Sequence, residues 1–217
     1  MYSKDYRSDP GRMYLIHSLC LLHQHEERFI ISCVGKGAST QVLTSSGSDR
    51  SMKSFKLKIL RLALIVICAA LIAGSTMIIE FPIPTAGGCF NLGDAMIFVV
   101  ALLFGPVVGG LAGGVGSAMA DMISNPLFAP YTLVIKGIEG WIVGKIARTR
   151  GSDWIACVLG GTEMVLGYFV VEGLSFGVGA ALEGLPFNAF QVVAGLAISP
   201  LAALLLRRRM PSILSQV

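Results

Sequence analysis

From residue 59 onward the chain is a series of six apolar runs, separated by short polar stretches or by clusters of glycine and proline. The first run is Ile59–Ile79. At ~1.5 Å per residue, about 20 residues suffice to cross a bilayer core. Glu80–Phe90 follows, with Pro82, Pro84, Gly87 and Gly88, and reads as a loop because these residues forbid a regular helix. Asn91–Phe104 is a second, short span, ended by Gly105-Pro106. Pro106–Ile123 is a third. Around it Gly105, Gly109 and Gly113, and again Gly110 and Gly114, recur every four residues, a spacing that lets neighbouring helices approach closely in a membrane. Ser124–Pro130 reads as a turn and Tyr131–Ile146 as the fourth span. Trp154–Val171 is the fifth, Glu172–Pro186 a glycine-rich connection, and Phe187–Leu206 the sixth, stopped by Arg207, Arg208 and Arg209. The pattern predicts an all-α integral membrane protein with six transmembrane helices.

The first 51 residues break this pattern: they are polar, mixed in charge and rich in serine and glycine toward their end. Met13–Leu22 is too short to span and lacks the layout of a signal peptide. Met52 opens a basic lead-in, Met-Lys-Ser-Phe-Lys-Leu-Lys-Ile-Leu-Arg. Residues 1–51 therefore read as an upstream extension or a disordered tail with Met52 the start, the alternative being a small cytoplasmic segment. The membrane domain is expected over 52–210, with spans near 59–79, 91–104, 106–123, 131–146, 154–171 and 187–206, and a short tail at 211–217.

Composition agrees with the pattern. Hydrophobic residues make up 54% of the chain and charged ones 14%, against about 25% charged in soluble domains. The net charge of +4 does not point to nucleic acid, because the basic residues flank apolar runs. Lys53, Lys56, Lys58 and Arg61 precede the first span, Lys145, Arg148 and Arg150 separate the fourth from the fifth, and Arg207–Arg209 follow the sixth. The opposite connections carry Glu80, Asp94, Asp121, Glu172 and Glu183 with no lysine or arginine. The positive-inside rule places both termini in the cytoplasm, which an even number of spans requires. The expected location is the cell membrane.

Sidedness lets the few polar residues be placed by depth. Asn91 and Asp94 open the second span at the outer face, and Asp121 ends the third there. Lys136 and Glu139 stand roughly 7 and roughly 12 Å inside the outer end of the fourth span, three residues apart on one helical side. Asn188 and Gln191 have the same spacing near the outer start of the sixth. Tyr168 lies in the outer half of the fifth and Glu163 near its middle. A charge in hydrocarbon costs roughly 2.5–3.5 kcal/mol or more, so such residues line a cavity, pair with each other, or both. They point to a polar pocket in the outer half, binding solute through Asn91, Asp94, Asp121, Tyr131, Lys136, Glu139, Glu163, Tyr168, Asn188 and Gln191. Tyr131, Trp141, Tyr168, Phe187 and Phe190 would supply aromatic walls. A purely structural Lys136–Glu139 ion pair is the competing reading.

Several chemistries find no support. Cys20, Cys33, Cys68, Cys89 and Cys157 form no CxxC pair, and His17, His23 and His25 all precede the membrane part, so neither a metal nor a cofactor is expected. Gly140–Ile146 misses the phosphate-loop spacing and has no Ser or Thr after Lys145. There is no GxSxG elbow and no HExxH motif, so the chain does not read as an enzyme. A stand-alone proton-coupled carrier, with Glu139 or Glu163 as its proton site, remains the main alternative.

Asn91-Leu92-Gly93-Asp94-Ala95, the glycine-rich third helix ending Ala120-Asp121, and Ala129-Pro130-Tyr131-Thr132-Leu133-Val134-Ile135-Lys136-Gly137-Ile138-Glu139-Gly140 resemble the S components of energy-coupling factor (ECF) transporters, in particular the riboflavin-type branch. The resemblance covers roughly residues 53–210. It implies a subunit that binds a vitamin or related micronutrient from outside, riboflavin or another small heteroaromatic compound. That subunit then docks on a coupling transmembrane protein and two ATPase subunits, and the energy comes from those partners. It also implies that an alanine-xxx-alanine pair on the first helix, here Ala69 and Ala73, contacts the coupling protein. The resemblance does not name a substrate.

Overall fold

The computed structural model describes residues 47–78, 80–82 and 89–209. The reading of residues 1–51 as an extension lies outside these for residues 1–46, as does the tail at 211–217. Among the described residues there are six helices: α1 (Gly47–Ile78), α2 (Gly93–Phe104), α3 (Pro106–Ser124), α4 (Ala129–Arg150), α5 (Asp153–Phe176) and α6 (Val178–Arg209). Ser54–Ile78 of α1, together with α3, α5 and α6, are long and apolar enough to cross a membrane. Their outward faces carry exposed Leu62, Val66, Val115, Leu166 and Leu201, as a lipid-facing surface requires.

The short helix α2 is the centre of the bundle. Its 12 residues reach only ~18 Å, well under a bilayer core. On one side Ile97 and Val100 pack with Cys68, Ala69 and Ile72 of α1 and with Val108 and Ala112 of α3. On the other, Phe98, Ala101 and Leu102 pack with Val143 of α4, Ala156 and Cys157 of α5 and Ala203 of α6.

Two connections differ from the sequence expectation. The proline-rich stretch after α1 contains a two-stranded antiparallel ribbon, β1 (Glu80–Pro82) and β2 (Cys89–Asn91), with Glu80 opposite Asn91 and Pro82 opposite Cys89. Both strands are edges, where proline's missing N–H is tolerated. The expected glycine-rich connection Glu172–Pro186 is helical apart from Gly177, which alone separates α5 from α6 with φ 92°. A glycine inside a helix costs about 1 kcal/mol. An unpaired peptide group away from water costs more, so the backbone stays helical through Gly173, Gly179 and Gly184.

The small residues of α3 meet partners on both sides. A Cβ added at Gly109 would sit 2.6 Å from Ala101 Cβ and 2.9 Å from Gly140 O. One at Gly114 would sit 2.6 Å from Leu133 O, and one at Gly116 2.5 Å from Ala69 O. The recurring glycines thus bring α3 against α4 on one face and α1 on another.

The end of α2 is held by two arginines. Arg207 donates to Leu102 O (2.8 Å) and grips both carboxylate oxygens of Asp153 (2.7 and 3.2 Å), while Arg148 donates to Phe104 O (2.9 Å). The last carbonyls of a helix have no intrahelical donor and carry its negative dipole end, so a cation there is stabilising. Arg207 is partly exposed, so its removal should cost only about 1 kcal/mol. Arg207→Ala is expected to lower the melting temperature in detergent by about 2–4 °C, and Asp153→Asn by less.

Candidate functional site

The opposite end of the bundle from these arginines is where the buried polar residues collect. Thr132, Lys136 and Glu139 lie on one face of α4, at spacings of four and three, and all are buried. Tyr168 and Glu172 are one turn apart on α5, Asn188 and Gln191 three apart on α6. Asp121 stands in the last turn of α3. Asp94 stands in the first turn of α2, where its charge suits the helix dipole. Asn91 ends β2 and accepts the Gly93 N–H at 2.9 Å, turning the chain into α2.

These groups form a connected network. Lys136 donates to Asp94 and lies 3.4 Å from Glu139 Oε2. Its ammonium group also sits over the Tyr168 ring, 5.4 Å from the centroid. Thr132 donates to Asp121, so the Tyr168 hydroxyl, 2.8 Å away, donates to Thr132. With its amide oriented to satisfy both ends, Gln191 donates to Asp94 Oδ2 (3.3 Å) and to Asn91 O (3.2 Å). Asn188 donates to Glu172 Oε1 at 3.4 Å. Together these contacts tie α2, α3, α4, α5, α6 and β2.

A small cavity opens on this network, lined by Asn91, Asp121, Asn125, Phe128, Lys136, Tyr168, Glu172, Asn188 and Gln191. Its free volume is about 20 Å³, room for about one water. Phe128, at the start of α4, lines the cavity and stacks on Phe176 at the end of α5 with ring centroids 5.9 Å apart.

Of the sequence-predicted site residues, Asn91, Asp121, Lys136, Tyr168, Asn188 and Gln191 line the cavity, and Asp94 and Glu139 hold Lys136. Tyr131 is exposed, because it lies one position, roughly 100°, round the helix from Thr132. Glu163 is half-buried and does not line the cavity. Of the expected aromatic walls, Trp141, Phe187 and Phe190 are exposed, and the rings present are Phe128 and Tyr168. Ala69 of the alanine pair is buried against α3, whereas Ala73 is half-buried.

Glu172 is the residue that sequence reading missed. The glycine pattern puts it in an outer connection, yet it is fully buried in α5 and lines the cavity. The signal was present, since Glu172 follows Tyr168 by one helical turn. Thr132, between Asp121 and Tyr168, was overlooked as a small polar residue in an apolar run.

The family model of the ECF-type riboflavin transporter S component matches residues 56–208, which span all six helices. The chain belongs to this family. Two relatives agree with that extent. A protein of Pyrococcus woesei, named only for its place in the gap 3′ region, is 46% identical over 143 residues, 64% of this chain and 97% of the relative. The thiamine precursor transporter HmpT of Lactococcus lactis subsp. cremoris (strain MG1363) is 33% identical over 152 residues, 68% of this chain and 88% of HmpT. The protein is thus a multi-pass membrane protein with an S-component bundle, in a family of transporter subunits rather than enzymes. Its polar network sits at the end away from Arg148 and Arg207, the end that the positive-inside rule turns outward.

Proposed function

We propose that this S component captures a small, polar heteroaromatic micronutrient from outside the cell and passes it inward by way of a coupling membrane protein and two ATPase subunits. The observation that carries the reading is the convergence of Asp94, Asp121, Thr132, Lys136, Tyr168, Glu172, Asn188 and Gln191, from five otherwise apolar helices, on one enclosed site. A membrane bundle held only by packing needs no such gathering of groups, each costly to bury. The same site offers hydrogen-bonding groups in both senses and the Phe128 and Tyr168 rings, which suit a flat heterocycle.

Two cargoes come from the comparisons: the riboflavin of the family description and the thiamine precursor of HmpT. The cavity has room for about one water, so side chains have to part to admit either molecule. Docking on the coupling protein would use the exposed apolar face of α1 beside Ala73, since Ala69 is covered by α3.

Mass spectrometry of small molecules that co-purify with the detergent-solubilised protein, followed by thermal-shift titration of a vitamin and precursor panel, tests the reading. One compound is expected to co-purify and to raise the melting temperature at micromolar concentration. Its uptake by cells should stop when the ATPase subunits are deleted. Uptake that persists without them and collapses with the proton gradient would instead establish a proton-coupled carrier.

A further inference from the structure

Lys136 is the only buried cation among the described residues, and the polar network also holds four buried carboxyl groups, Asp94, Asp121, Glu139 and Glu172. Asp94 and Glu139 share Lys136, and Asp121 accepts from Thr132. Glu172 has no ion pair among the described residues and, unlike Glu139, whose oxygens also lack a hydrogen-bond partner, it lines the cavity. It is 1% exposed, and its Oε2 has no hydrogen-bond partner among the described residues. Its Oε1 has only the long contact from Asn188. The carboxyl group rests on Gly184 of α6, where an added Cβ would come within 2.2 Å of Oε2. A glycine thus makes the room that this buried acid occupies.

A buried polar group without a partner is costly, and a buried ionised carboxylate more so. Such a group in a binding site is matched when the ligand brings what is missing. We infer that Glu172 is the specificity-determining residue of the site and reads an amidine edge, an exocyclic amino group beside a ring nitrogen, on the captured heterocycle. The two parts are complementary whichever side holds the proton. A carboxylate accepts two N–H bonds from a protonated edge, and a neutral carboxyl group donates one and accepts one from a neutral edge. Asn188 holds one carboxyl oxygen and fixes the plane of the fork. Phosphorylated forms of the same ring are rejected, because no further buried cation is present among the described residues to match a phosphate.

This inference rests on the solute-capture reading above. The test is calorimetric titration of the purified full chain in nanodiscs. The probes are the aminopyrimidine alcohol from which thiamine is built, its analogue with oxygen in place of the amino group, its phosphate ester, and riboflavin. The amino compound should bind at least about 10-fold more tightly than the oxo analogue or the phosphate ester. Glu172→Gln should weaken it about 10- to 100-fold, the range expected for losing a charge-assisted bond. Gly184→Ala keeps every charge but pushes the carboxyl group aside, and should weaken it in the same direction. Equal binding of the amino and oxo compounds by the unaltered protein overturns the role of Glu172 and leaves solute capture standing, and that comparison needs no variant to fold. Tight binding of riboflavin alone overturns it in the same way. A folded protein that binds none of the four, and to which no small molecule co-purifies, overturns both readings.

Discussion

Lys136→Ala is expected to destabilise the protein by about 3–5 kcal/mol, the usual consequence of removing one partner from a buried ion pair. For a domain of this size that corresponds to a fall in melting temperature of about 6–20 °C. The reason is local. Lys136 is 3% exposed and neutralises Asp94 and Glu139, which are themselves 1% and 0% exposed. Without it, two carboxyl groups stand together with no other buried cation among the described residues, and Tyr168 loses the ammonium over its ring. The size of the loss should follow charge rather than volume, so Lys136→Met should melt nearly as low as Lys136→Ala. Adding Asp94→Asn and Glu139→Gln to Lys136→Met should recover most of the loss, because replacing a whole buried ionic group by neutral residues is often close to neutral in stability. Thermal unfolding followed by tryptophan fluorescence reads all three. A Lys136→Ala protein that melts within about 2 °C of the parent would show that the triad does not hold the helices together. The triple variant separates structure from function: folded again, yet with its ion triad gone, it should no longer bind the cargo.

The triad also shows which parts of the site a sequence reveals. Lys136 and Glu139 were conspicuous because charges are rare within apolar runs, and their spacing put them on one face. That Asp94 is the nearer partner of Lys136 was not legible. The two are 42 positions apart, and only the packing of α2 inside the bundle brings them together. Tyr131 and Glu163 were over-assigned for one geometric reason. Depth along a helix does not fix the direction round it. Tyr131 is roughly 100° from Thr132, and Glu163, five residues before Tyr168, is roughly 140° round from it. Glu172 was lost for the opposite reason. Gly173, Gly179 and Gly184 read as loop residues, whereas in apolar surroundings the backbone keeps its helical hydrogen bonds and Gly184 serves to seat the acid. The six-helix count was legible because hydropathy is chain-local. The central position of α2 was not, since a 12-residue apolar run looks the same at the edge of a bundle as at its heart.

Gly140→Ala and Gly137→Ala should behave in opposite ways, although the two glycines are three positions apart on α4. A Cβ at Gly140 would lie 2.3 Å from Gly109 O and 2.7 Å from Gly109 C, main-chain atoms that no rotamer change can move aside. The helices α3 and α4 would have to separate, and overpacking of this kind costs about 1–3 kcal/mol. Association of helices in a membrane rests on such close packing rather than on a hydrophobic drive, so little is available to offset the loss. The damage should extend to binding, because α4 carries Thr132, Lys136 and Glu139 while α3 carries Asp121, and their separation pulls Thr132 from Asp121. A Cβ at Gly137 would meet nothing nearer than Gly110 O at 3.6 Å, an ordinary contact. There alanine also removes a glycine from a helix interior, worth up to about 1 kcal/mol. Gly140→Ala should therefore give a lower melting temperature and weaker cargo binding, and Gly137→Ala a melting temperature equal to the parent's or a few degrees above it. Parent-like melting of both variants would mean that the α3–α4 contact tolerates a methyl group at either position, and the glycines would then owe their place to something other than the approach of the two backbones.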